Sequence, residues 1–179
     1  MKNDIDSAYI ARCHKTLKSW GAPLDGWYCV DVLDIADEDG EVVSFATCEL
    51  CNCNKVRYIH VMRNDDYFED VEVGCICAGI MEGDILAARE RERLMKNRAK
   101  RKQNFPRRKW KLTRTGNGYL NYKGKRIFIN KNTTGRGTYN VFCEGQTVWN
   151  YKGRPIDNFL SAAYAAFDLV DPIEEVMES

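Results

Sequence analysis

The chain reads as an α+β protein in two parts. The first is a zinc-stabilised core, built on four cysteines, that runs into a long basic helix. The second is a small antiparallel sheet covered by one helix. Three observations predict this. Four cysteines fall in two close pairs, Cys48-x-x-Cys51 and, 23 residues later, Cys75-x-Cys77. Short alternating segments separated by glycine-bearing turns occupy residues 110–151. Helix-forming stretches occupy about 78–104 and 157–170. The expected division is residues 1–104 and 105–179.

Taken in order, residues 4–20 form an apolar stripe at helical spacing (Ile5, Tyr9, Cys13, Leu17, Trp20), and Gly21-Ala22-Pro23 ends it. Residues 27–35 alternate as a strand, Asp37-Glu38-Asp39-Gly40 turns, and 41–46 is expected to return beside it. A third strand over 55–62 and a fourth over 68–73 make a second hairpin. Residues 78–104 then read as one continuous helix rich in Ala, Glu, Arg, Lys and Leu, ended by Pro106. Short strands follow at 110–114, 119–122, 126–130, 139–143 and 147–151. A last amphipathic helix runs from Asp157, the expected N-cap, to Val170, with Phe159, Ala163, Phe167 and Val170 on one face.

Close pairs suit a structural zinc, because each delivers two soft ligands at little cost in loop closure. The expected metal ligands are therefore Cys48, Cys51, Cys75 and Cys77, with Cys53 a rival because it also lies close to Cys51. Four thiolates leave no open position for water, so the zinc is expected to be structural and the protein not an enzyme. Cys13, Cys29 and Cys143 read as buried small apolar residues. The start of the chain lacks the layout of a secretory signal, which makes metal binding a better account of the cysteines than disulfides and the cytoplasm the expected compartment. No run is long and apolar enough for a membrane span. No phosphate-binding Gly-Lys loop, dinucleotide fingerprint or Ser/His/Asp set points to a small-molecule substrate.

The net charge of +1 conceals segregation. Residues 1–47 hold nine acids against four bases, and residues 64–84 hold seven acids and no base. Residues 89–114 hold thirteen Lys or Arg against two acids. A basic run of this kind neutralises phosphates. The expected nucleic-acid contacts are Arg98, Lys100, Arg101, Lys102, Arg107, Arg108, Lys109 and Lys111, with Phe105, Trp110 and Tyr119 near enough to stack on bases. DNA is favoured over RNA. Two other uses of the run stay open: pairing with the chain's own acids at 31–41 and 65–72, or binding an acidic protein partner.

The order knuckle, hairpin, then a cysteine pair entering a helix resembles the treble-clef zinc finger over about residues 46–100, with a second pair spaced by one residue where two is usual. Within that group the chain is similar to HNH-type nucleases in its paired cysteines, in His60 on the hairpin strand and in Asn64 nearby. That likeness implies a water-activating role for His60. The helix histidine such enzymes use is missing, leaving Glu82 or Asp84 as stand-ins. Residues 110–170 resemble the AP2-type and arm-type DNA-binding modules of integrases. That likeness implies a sheet face that reads DNA, with contacts at Arg114, Asn117, Lys123, Lys125, Arg126, Lys131 and Arg136. The expected function is a zinc-stabilised, non-enzymatic nucleic-acid-binding protein. The alternatives are a protein-binding adaptor or inhibitor, such as a mobile-element regulator or anti-defence protein, and a divergent HNH-like nuclease.

Overall fold

The computed structural model describes residues 5–133 and 137–178. It is a mixed α+β structure whose sheets are all antiparallel among the described residues. The chain divides into two compact units, Met1–Asn97 with Val176–Ser179, and Arg98–Glu175.

In the first unit, α1 (Ser7–Ser19) begins at Asp6, whose carboxylate accepts the Ala8 amide hydrogen at 3.0 Å. A side-chain oxygen at this position satisfies one of the amides that a helix start leaves without a partner. Tyr9, Cys13 and Leu17 share one face at four-residue spacing, and Cys13 and Leu17 are buried. Strands β1 (Tyr28–Asp34), β2 (Tyr58–Arg63) and β3 (Val71–Val73) form one sheet in the order β1-β2-β3. The expected strand at 41–46 does not form, since the hairpin place beside β1 is taken by β2. Only an isolated bridge, Ala46 to Val56, remains of it, and Val43 is 98% exposed.

The helix expected to run unbroken from 78 to 104 is two helices, α2 (Cys75–Glu82) and α3 (Ile85–Asn104). Gly83 caps α2 in the left-handed region at φ 74°, and Asp84 accepts the Ala87 amide hydrogen at 2.9 Å to start α3. A glycine C-cap followed at once by an acidic N-cap overrides the good helix propensity on either side. Gly79 lets the corner close: a Cβ there would lie 2.6 Å from the Ile85 Cα. The division between the units falls inside α3.

The second unit holds a five-stranded sheet of β4 (Lys111–Leu112), β5 (Gly118–Tyr122), β6 (Lys125–Lys131), β7 (Tyr139–Cys143) and β8 (Gln146–Val148), ordered as in the chain. The β5–β6 and β7–β8 turns have both central residues at positive φ (Lys123 and Gly124; Glu144 and Gly145), the two-residue geometry that matches strand twist. A small ribbon of β9 (Asn150–Tyr151) and β10 (Arg154–Pro155) leads to α4 (Phe159–Val170). The N-cap of α4 is Asn158, whose side chain accepts the Ser161 amide hydrogen, rather than Asp157. Its buried face is Ala162, Ala163, Ala166, Phe167 and Val170, against Ile127, Ile129, Val141 and Cys143 of the sheet. Alanines there let helix and sheet approach closely. Phe159, expected on that face, is 38% exposed.

Candidate metal centre and charged surfaces

The knuckle is a tight turn. The Cys48 amide donates to the Cys53 carbonyl at 2.8 Å, the Asn52 amide donates to the Cys48 carbonyl at 2.8 Å, and Asn52 sits at φ 59°. This turn brings Cys48 and Cys51 against Cys77 of α2, with the three sulfur atoms within 4.8 Å of one another. Tetrahedral zinc with Zn–S bonds of about 2.3 Å holds its sulfur atoms about 3.8 Å apart, so small rotamer shifts would seat the ion. The thiols are free, and Cys48 and Cys77 are almost completely buried. Cys48 is pushed down to about 5, first by the hydrogen bond from the Cys77 thiol and then by the amides of Gly74, Cys51 and Leu50, which together outweigh burial. Cys77 is raised correspondingly by its bond to Cys48 and by burial. A thiolate cradled by backbone amides is the species a soft cation binds. These three cysteines are therefore close enough, and chemically suited, to hold one metal ion.

Helix α1 closes the cluster. The Tyr9 hydroxyl lies 3.0 Å from the Cys77 Sγ. Burial, followed by hydrogen bonds to Cys51 and Cys77, raises the Tyr9 pKa. Cys13, one turn on along the same face, is 2% exposed. Burial pushes its thiol up, Cys77 pulls it back, and Cys51 and Cys48 add to the rise. Cys13 is buried in the core as expected, and it also interacts with Cys77, Cys51 and Cys48. Its sequence signal was its place four residues after Tyr9 on the buried stripe.

Cys75 does not join this group. Residues two apart on a helix point about 200° away from each other, so Cys75 and Cys77 at the start of α2 face different ways. Cys75 instead lies with His60 and Glu92, donor atoms within 4.8 Å of one another. Cys53 is exposed and belongs to neither group.

His60 sits in the middle of β2, opposite Val32 of β1 and Val73 of β3, and is 0% exposed. It does not reach solvent to activate a water. Asn64 is tied into a turn, donating to the Asp25 carbonyl at 2.7 Å and accepting from the Asp66 amide at 2.9 Å. The stand-in acids are also engaged: Glu82 accepts from Arg91 at 2.7 Å, and Asp84 caps α3.

The basic run divides in two. Arg98 donates to Asp168 at 2.7 Å and to the Asp171 carbonyl at 2.8 Å. Arg101 grips the Asp171 carboxylate with two bonds, 2.7 and 3.0 Å, and Lys102 reaches Asp168 at 2.9 Å. The Arg108 guanidinium lies 4.6 Å from the Tyr122 ring centre. Lys100, Arg107, Lys109 and Lys111 are exposed and form no ion pair among the described residues. Self-pairing therefore occurs, but with Asp168, Asp171, Glu82, Glu90 and Glu92 rather than with the acids at 31–41 and 65–72. Asp34 and Asp70 of those segments are held by Arg57 and Arg63. Of the three expected stacking residues, Phe105 is fully buried, edge-on to Trp110, Tyr122 and Phe167. Trp110 is half-buried beside Phe159, and Tyr119 lies on the sheet.

The sheet face away from α4 carries a cross-strand row. Register places Lys111 opposite Tyr119, Tyr119 opposite Phe128, Phe128 opposite Phe142 and Phe142 opposite Thr147. Ring centres are 6.0 Å apart for Tyr119–Phe128 and 6.4 Å for Phe128–Phe142. Arg126 lies over Tyr119 and donates to the Asn121 side chain at 3.0 Å. Among the other expected sheet contacts, Lys123 pairs with Glu175 and Asp171, Lys125 with Glu144, and Asn117 accepts from the Lys131 amide. Arg114 and Lys131 are exposed, and Arg136 lies outside the described residues.

Comparison with protein-family models, with curated proteins and with solved structures finds no match. No helix among the described residues is long and apolar enough to cross a membrane.

Proposed function

We propose that this protein is a zinc-stabilised, non-enzymatic nucleic-acid-binding protein with DNA as its target. The observation that carries the reading is the row on the open sheet face, a cation followed by three aromatic rings across four adjacent strands. Aromatic rings give bases a stacking surface, and nearby unpaired cations neutralise the backbone. Lys111 belongs to that row, and Lys100, Arg107 and Lys109 are equally free of carboxylates among the described residues. Zinc is held by Cys48, Cys51 and Cys77, with Cys13 of α1 as the fourth thiolate. Such a site has no open position for water, so it stabilises the first unit and leaves binding to the second.

The test is fluorescence anisotropy of the zinc-loaded protein with labelled duplex DNA, single-stranded DNA and single-stranded RNA across salt. DNA binding that weakens steeply with salt, and that falls further in Phe128→Ala, is the expected result. Absence of binding at low salt overturns the reading.

A further inference from the structure

We propose that His60, Cys75 and Glu92 form a second, independent divalent-metal site in the first unit, with the nitrogen, sulfur and oxygen donor set that suits zinc. The three donor atoms come from β2, α2 and α3 and already lie within 4.8 Å of one another. A tetrahedral ion with bonds of about 2.0–2.3 Å needs separations of about 3.5 Å, an adjustment within side-chain freedom.

The second observation is His60 itself. Its side chain is fully buried, and neither ring nitrogen has a hydrogen-bond partner. Nε2 faces Glu92 Oε2 at 3.5 Å, beyond a good hydrogen bond. A buried polar atom without a partner is costly, and most such atoms in folded proteins have one. A metal between Nε2, the Cys75 sulfur and Glu92 Oε2 removes that cost at the facing nitrogen.

The surroundings fit. Lys96 donates to the other carboxylate oxygen, Oε1, at 2.7 Å, which leaves Oε2 free and fixes the carboxylate plane. Such outer contacts orient metal ligands. Glu92 is held down at about 2, because the neighbouring His60 and Lys96 outweigh the opposing effect of burial. It is therefore ionised at neutral pH. Cys75 is pushed up to about 12 by burial and by the Glu92 carboxylate. A thiol flanked by an anion gives up its proton when a cation arrives between them. The same geometry explains the one-residue spacing of Cys75 and Cys77: opposite faces of one helical turn serve two ions.

The site is tested by metal stoichiometry. Reduced protein is loaded with zinc, dialysed, and its bound metal measured, with circular dichroism confirming the fold. Wild type is expected to hold two equivalents per chain. Glu92→Gln and Cys75→Ala are each expected to hold one. One equivalent in wild type, or two in both Glu92→Gln and Cys75→Ala, overturns the proposal. Cobalt loading gives an independent check, since the second site contributes a single Co–S bond. Glu92→Gln is expected to leave most of the sulfur-to-cobalt absorption in place, and loss of nearly all of it overturns the assignment. Because these readouts measure metal and not nucleic-acid binding, either proposal can fail without the other.

Discussion

The division of the basic run into paired and unpaired cations sets a number that salt titration can read. On duplex DNA the logarithm of the binding constant falls against the logarithm of salt with a slope of about −0.9 per neutralised phosphate. If Lys100, Arg107, Lys109 and Lys111 each meet a phosphate, they contribute about 3.6 to that slope, and all eight basic residues would contribute about 7. Between about 50 and 200 mM salt, a contribution of about 3.6 is a loss of about 150-fold in affinity. Changing these four to Gln should therefore flatten the slope by about 3.6 in anisotropy titrations. Lys102→Gln should leave the slope unchanged, because its ammonium is already 2.9 Å from Asp168 and its side chain is only 17% exposed. Taking differences between variants cancels the contribution of Arg126, Arg114 and Lys131. The reasoning is refuted if the fourfold variant keeps the wild-type slope, or if Lys102→Gln flattens it as much as one exposed lysine would.

Four further outcomes follow from the geometry. Phe128→Ala removes the middle ring of the open face and should weaken binding by about 1–3 kcal/mol without changing the salt slope, measured by the same titration. Gly79→Ala gains about 1 kcal/mol in helix propensity but drives a Cβ to 2.6 Å from backbone, which no rotamer relieves. Overpacking of about 2–3 kcal/mol wins, and calorimetry should show a lower melting temperature. Chelation under reducing conditions, or Cys48→Ser, should abolish the thermal transition of the first unit and leave that of Arg98–Glu175, which among the described residues holds no cluster of candidate metal ligands. Asp171, 1% exposed, is held below the usual carboxylate range, since Arg101, then Lys123 and Arg98, outweigh the effect of burial. A depressed folded pKa gives stability that is present above the unfolded value of about 3.9 and lost as pH falls through the folded one. Asp171→Asn should cost about 2–3 kcal/mol at pH 7, with the difference from wild type shrinking in acid, followed by urea denaturation.

What the sequence reveals here divides by the range of the cause. The Cys48–Cys51 knuckle and Cys77 are visible because chain proximity and turn chemistry bring them together. Cys75 looks like their partner only when spacing is counted without helical phase. Two residues along a helix is about half a turn, and that sends it to His60 and Glu92. Gly83-Asp84 was legible as a C-cap and N-cap in succession, but the helix formers on both sides masked it. The acids Asp168 and Asp171 were not legible in their roles, because each acts across a tertiary contact between residues far apart in the chain. The same limit bears on function. A charge run counts cations but not their availability, and here two carboxylates near the end of α4 withdraw Arg98, Arg101 and Lys102 while the Tyr122 ring engages Arg108, which leaves four of the eight. Strand register, by contrast, fixes which side chains share a face, so Lys111, Tyr119, Phe128 and Phe142 line up through backbone pairing alone. Because backbone pairing fixes which side chains that face presents together, the proposed nucleic-acid ligand is best sought on the sheet.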